Sequence, residues 1–227
     1  MMNEHNAHQE RHVDTRTNEE LIRAALTEAD EDVAWKAIGE LQGRGSRDVF
    51  DHACKLCVSP EAHERRVGVD ILGQLGTPHP TFHEETVTVL LRMLEQEQEP
   101  DVLYSVAVAL GHHSDPRAIV PLVRLKGHPD DLVRFGVVFG LLCYEDELAI
   151  QTLIELSTDT DAHVRDWATF GLGSQIDTDT PTIRAALVAR LTDEDADTKR
   201  EAMVGLARRH DPRMAGPGPL LADLEED

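Results

Sequence analysis

Residues with reactive side chains are few in this chain, and their spacing suits no familiar reaction. Cys54 and Cys57 form a C-x-x-C pair with His52 nearby. A zinc site takes four ligands, and no second pair follows, so the pair reads as packing on a helix. His5, His8 and His12 would share a face if the N-terminus were helical, a pattern that suits adventitious nickel. His112-His113 follows Leu110-Gly111 and reads as a polar turn, while Cys143, beside Leu141 and Leu142, reads as buried. No Ser/His/Asp order, glycine-rich phosphate loop or paired-carboxylate motif is present. The chain carries no credible catalytic set and no cofactor motif, and a non-enzymatic role is expected.

The chemistry left is contact. Of 2 Trp, 2 Tyr and 5 Phe, six residues fall into a pattern: Trp35, Tyr104, Phe135, Phe139, Trp167 and Phe170. The pattern comes from an internal repeat, which governs the rest of the reading. In Asp130-Asp131-Leu132-Val133-Arg134 through Leu141, an acid precedes the Val by three, and apolar residues follow it by four and eight. Aligned on that Val, the frame recurs at Val33, Glu64, Val102, Val133, Val164 and Thr198, at intervals of 31, 38, 31, 31 and 34 residues. The acid column is Asp30, Glu61, Glu99, Asp130, Asp161 and Asp195. It suits helix N-caps, the Asp copies best, and the positive end of the helix dipole. The fourth residue after the Val is Ala37, Gly68, Val106, Val137, Ala168 or Ala202, and the eighth is always Leu: 41, 72, 110, 141, 172 and 206. Steps of four put these on one helix face, so each unit ends in a helix burying a Val/Ala/Leu stripe.

At about 100° per residue the buried columns centre near about 70° from the Val, and its second and sixth followers fall near about 200° and 240°. Those two columns read Trp35 and Gly39, Arg66 and Asp70, Tyr104 and Val108, Phe135 and Phe139, Asp166 and Phe170, Arg200 and Val204, with Trp167 one residue over. A merely solvated face would hold Lys, Glu and Asp. Aromatics amid charge mark a contact surface, although stacked neighbours in an array also bury such positions.

The composition narrows the partner. A formal charge of −21 argues against nucleic acid, whose phosphates need a basic surface. It suits a basic protein partner, or a salt-adapted or GC-rich source, the latter consistent with 4 Lys against 18 Arg. Three cysteines make no disulfide framework and fit a reducing compartment. No apolar run nears the roughly 20 residues of a membrane span, and the polar N-terminus lacks a signal-peptide core. A cytoplasmic protein, monomeric in isolation, is expected. Residues 1–17 read as a disordered polar segment, 18–213 as the repeat array, and 214–227 as a Gly/Pro-rich acidic tail in which only Leu220 to Leu224 suit a short closing turn. Thr17 or Asn18 caps a first helix, Ser46 one to Val58, and Asp115-Pro116 one that Pro121 bends. Leading helices are expected at about 83–97, 145–157 and 181–191.

The frame Asp-x-x-Val-Arg-x-x-Ala-x-x-x-Leu-Gly, preceded by Asp115-Pro116-Arg117-Ala118-Ile119-Val120-Pro121-Leu122, resembles the short bacterial HEAT-like repeat, also found in phycobilisome bilin lyases. The resemblance covers roughly residues 19 to 213. It implies an all-α, right-handed α-solenoid of about six HEAT-like helix pairs, with the Val-Arg helices lining the concave side. The Arg that the family prefers after the Val is Ala34, Arg65, Leu103, Arg134, Arg165 or Lys199 here, so an inter-repeat acid–Arg ladder is expected to be incomplete. Family members include chromophore lyases, DNA glycosylases, assembly adaptors and toxin-immunity proteins. With this charge, the reading is a scaffold that binds a basic protein partner on its concave face through Trp35, Arg66, Asp70, Tyr104, Phe135, Phe139, Asp166, Trp167, Phe170 and Arg200, as an inhibitor or immunity-type protein would. The alternative is a bilin lyase-like protein that binds or transfers a linear tetrapyrrole.

Overall fold

A computed structural model describes residues 14–215. The expectations for His5, His8 and His12, and for the tail from residue 216 onward, lie outside them. The described chain is all-helical, with twelve α-helices and no strand. They alternate between two layers. First helices are α1 (Asn18–Thr27), α3 (Arg47–Leu56), α5 (His83–Gln96), α7 (Ile119–Val123), α9 (Glu147–Leu156) and α11 (Pro181–Arg190). Second helices are α2 (Glu31–Arg44), α4 (Ala62–Gly73), α6 (Pro100–His113), α8 (Asp131–Leu141), α10 (Ala162–Phe170) and α12 (Ala196–Arg208).

Every second helix starts on the acid column, and the chemistry of the acid decides whether it caps. Asp30, Asp130, Asp161 and Asp195 each accept from first-turn backbone N–H groups, whereas Glu61 and Glu99 make no side-chain cap bond. The longer side chain of Glu overshoots the N–H groups that Asp reaches. At the other end, Gly45 closes α2 in the left-handed region (φ 54°), where an L side chain is strained, and Ser46 caps α3. Asp115 opens a 3₁₀ turn, Pro116–Ala118, and the following helix, which contains Pro121, is only five residues long. The Leu column is fully buried in all six repeats, as is the small apolar column four residues earlier except at Gly68, which is buried against α3. Burying one such Leu contributes about 1.5–3 kcal/mol.

Second helices pack neighbour to neighbour along the array, while first helices touch one another only sparsely. Glycine makes the tight layer possible. A Cβ on Gly205 would lie 2.5 Å from the Gly173 Cα, and one on Gly140 would lie 2.9 Å from the Ala107 carbonyl. An array packed more closely in one layer than in the other curves toward the closer layer, so the face of the second helices is the inner one.

Two expectations are corrected. Cys143 is exposed: α8 ends at Leu141, and the chain turns before the next side chain can enter the core. His112-His113 is helical rather than a turn. His113 is buried, with Nε2 3.2 Å from the Leu72 carbonyl oxygen, because α6 runs on past Leu110 to His113 itself.

Candidate functional site: the inner helical face

The repeat stacks the second and sixth positions of α6, α8 and α10 side by side, and their rings meet. Tyr104 and Phe135 are stacked (centroids 5.8 Å apart, planes at 12°), and Phe135 meets Trp167 edge to face at 5.7 Å. Trp167 continues to Phe139 at 6.1 Å and to Phe170 at 5.6 Å, and His112 and His163 close on Phe139 and Phe135. The result is one run of seven rings across three repeats. Each of Tyr104, Phe135, Phe139, Trp167 and Phe170 is half-buried: one side lies on the core or a neighbouring ring and the other faces solvent. Trp35 stands apart from the run and is 50% exposed.

Charge surrounds the rings. Asp166 sits beside Trp167 in sequence, and its Oδ1 is buried without a hydrogen-bond partner. Burial, then the charges of Glu201, Asp197 and Asp195, push its carboxyl up to about 6. Arg200 pairs with Asp197 at 2.8 Å instead. Asp70, on α4, is likewise pushed up to about 6 by burial, against the opposing pull of the Ser105 hydroxyl and the Arg66 charge. Arg66 is half-buried and makes no ion pair among the described residues. Trp35 and Asp70 line two recesses, of about 220 Å³ between α2 and α4 and about 60 Å³ between α4 and α6. The ten residues singled out in the sequence thus occupy one face. The five aromatic ones on α6, α8 and α10 are in ring contact, with Asp166 next to Trp167 in sequence; Trp35, Arg66 and Asp70 adjoin the recesses, and Arg200 lies at the C-terminal end. His112 and His163 join the ring run and were missed, since neither falls in the two columns used to find it.

The acid–Arg ladder lies at the edge of the second-helix layer. Arg65, Arg134 and Arg165 reach the loop of the next repeat. Arg65 meets Glu97 at 2.7 and 2.9 Å, Arg134 meets Asp159 at 2.7 and 2.7 Å, and Arg165 meets Asp193 at 3.1 Å. Each guanidinium also donates to two carbonyls of its own loop: Ser59 and Pro60, His128 and Pro129, or Asp159 and Thr160. Away from this face, Cys54 is half-buried and Cys57 buried, and burial raises both thiols, Cys57 strongly. They border a cavity of about 590 Å³ between α3 and α5. His83, Glu84 and Asp115 converge closely enough for a cation, but Arg117 already lies between the two carboxylates, 2.9 and 2.7 Å from them.

Known proteins agree with this architecture. Residues 87–173 match the family described as HEAT repeats. Protein YibA of Escherichia coli strain K12 is 25% identical over 181 residues, 77% of this chain and 64% of the relative, so the chain spans less than two thirds of that protein. The same protein from E. coli O157:H7 matches equally. The X-ray structure of E. coli YibA superposes with a TM-score of 0.76 at 22% identity, over 93% of this chain and 77% of that one. A designed armadillo repeat protein in complex with the peptide (KR)4 does so at 0.51 and 14% identity, over 85% of this chain and 99% of that one. The match over 87–173 and the frame repeated on both sides of it make the chain an α-solenoid of HEAT-like repeats.

Proposed function

We propose that this protein is a non-enzymatic scaffold whose inner face binds a basic protein partner, in the manner of an inhibitor or immunity-type protein. The observation that carries the reading is the run of rings from Tyr104 to Phe170, half open to solvent on a chain with few aromatics. Rigid aromatic anchors supply contact area at low entropic cost. Asp70, Asp166 and the net charge of −21 would steer a positive partner and speed its docking. The designed armadillo repeat protein of similar fold is itself in complex with a basic peptide, (KR)4.

Affinity capture from the native lysate, followed by mass spectrometry, tests the reading. The expected result is a stoichiometric basic protein whose binding weakens with salt and falls by roughly tenfold or more in Phe135→Leu, which keeps apolar volume but removes the stacking. Binding that is indifferent to Trp35→Ala, Phe135→Leu and salt together would refute the assignment of this face. Colour on mixing with a linear tetrapyrrole would redirect it to a chromophore.

A further inference from the structure

The repeats differ at one place in a way that leaves a shaped vacancy. In repeats two, four and five, the residue after the Val position is Arg, and its Nη1 donates to the carbonyls five and four residues before that position, at 2.9–3.2 Å. In repeat three Leu103 stands there and is buried. In repeat one the residue is Ala34, and the two residues whose carbonyls would receive the guanidinium are Glu28 and Ala29. All three line the recess of about 220 Å³ beside Trp35. No described residue donates a hydrogen bond to either carbonyl. Glu31 and Asp70 complete the acidic part of the lining, Trp35 and Ile38 the apolar part, and Arg66 and His63 the basic part. His63 is turned elsewhere, with Nε2 3.2 Å from the Leu26 carbonyl.

We propose that this recess is a guanidinium slot which takes an arginine side chain from the partner, supplying in trans the two carbonyl contacts that the chain makes in cis three times. The inference rests on the reading of the inner face as a basic-partner surface and adds a side-chain preference to it. Arg is required rather than Lys because two carbonyls and a carboxylate rim call for several coplanar donors, whereas an ammonium offers a point charge. The aliphatic stem would lie on Ala34 and Ile38, with the Trp35 ring placed for a cation–π contact.

The test uses the full chain and three fluorescently labelled peptides, acetylated and amidated repeats of Gly-Arg, Gly-Lys and Gly-citrulline, with anisotropy at low ionic strength as readout. The Arg peptide should bind about tenfold tighter than the Lys peptide, and the neutral citrulline peptide should not bind. Ala34→Arg, which installs the chain's own guanidinium as in the other repeats, should bring the Arg:Lys ratio to about one while Lys binding persists. Ala34→Met fills the same volume without charge and should do likewise, which keeps the test valid if the first variant folds poorly. Phe135→Leu should weaken both peptides alike. Equal Arg and Lys affinity in the unmodified chain, or a preference surviving both Ala34 variants, would overturn the slot and leave the scaffold reading intact. Failure of both the Arg and the Lys peptide to bind would overturn both. A gain in Arg-peptide affinity, without a matching gain for the Lys peptide, in Arg66→Ala would show that the chain's own Arg66 fills the slot, and would overturn the assignment to a partner.

Discussion

Replacing Arg134 with Met cuts one rung of the inter-repeat ladder while keeping an apolar stem of similar length. The rung comprises two bonds of 2.7 Å to Asp159 and two, of 3.0 and 3.2 Å, to the His128 and Pro129 carbonyls. The side chains are only 12% and 8% exposed. An exposed ion pair is worth about 0.2–1 kcal/mol, whereas removing one partner of a buried pair costs about 3–5 kcal/mol because the other charge stays behind. Burial places the rung in the second class. At roughly 2–4 °C per kcal/mol for a chain of this size, a fall in Tm of about 10 °C is expected by circular dichroism. Adding Asp159→Asn should recover part of the loss, since the stranded charge disappears. The pH dependence gives a second reading. Burial pushes Asp159 up, but the Arg134 guanidinium and the Asp161 N–H more than offset it, leaving the carboxyl below its ordinary range. A lowered folded-state pKa means stability that is complete near neutrality and lost as the pH falls below about 4. The gap between the unmodified chain and Arg134→Met should therefore narrow in acid. A loss under about 1 kcal/mol at pH 7, or a gap unchanged at low pH, would show that the rung acts as a surface pair.

Glycine substitutions should diverge by position. Gly205→Ala forces a Cβ against the Gly173 backbone at 2.5 Å and should lose about 1–3 kcal/mol in urea denaturation, whereas Gly43→Ala, open within 4 Å and helical, should gain about 0.5–1 kcal/mol. Asp166→Asn should stabilise the protein by about 1 kcal/mol at pH 8 and hardly at about pH 3, because a carboxyl raised to about 6 costs stability progressively as the pH climbs from the unfolded value near 4 through the folded one. An equal gain at both pH values would contradict that cause. On brief treatment with iodoacetamide, mass spectrometry should find Cys143 alkylated well before Cys57, since the first is exposed and the second buried with a raised thiol.

The buried stripe was legible because helical spacing and repeat length reinforce each other. The Leu column, read six times over, needs no knowledge of packing to be placed. Helix ends were less legible. The expected extensions to Val58, Glu97 and Ser157 stop instead at Leu56, Gln96 and Leu156, where the chain leaves α-helical geometry within a residue or two. Cys143 was misplaced for the same reason, since a helical wheel assigns it a face that ends before it arrives. The ring run was only half legible. Angles along one helix gave the side on which Phe135 and Phe139 lie, but the distance between helices decides whether rings touch. Glycines at 136 and 140 set that distance by letting α8 approach α6.

The ladder shows how far one sequence can report on its own contacts. Five residues before each Val position stand Glu28, Ser59, Glu97, His128, Asp159 and Asp193. Where a repeat carries Arg after the Val (Arg65, Arg134, Arg165), the next repeat supplies an acid at this position (Glu97, Asp159, Asp193). Where it carries Ala34 or Leu103, the next supplies Ser59 or His128. A buried carboxylate without its cation is costly, so the two positions change together or not at all. From Ser59 onward those residues keep a second duty: the Ser59 hydroxyl, His128 Nδ1 and the three acids each accept the backbone N–H two residues on, at 2.9–3.1 Å. The polar type at this position is fixed by its own loop and its charge by the preceding repeat. In repeat three the position is taken by Leu103, which is buried. In repeat one the recess beside Ala34 stays open, and that difference, rather than the mere absence of a rung, sets Ala34 apart as an opening for another molecule's arginine.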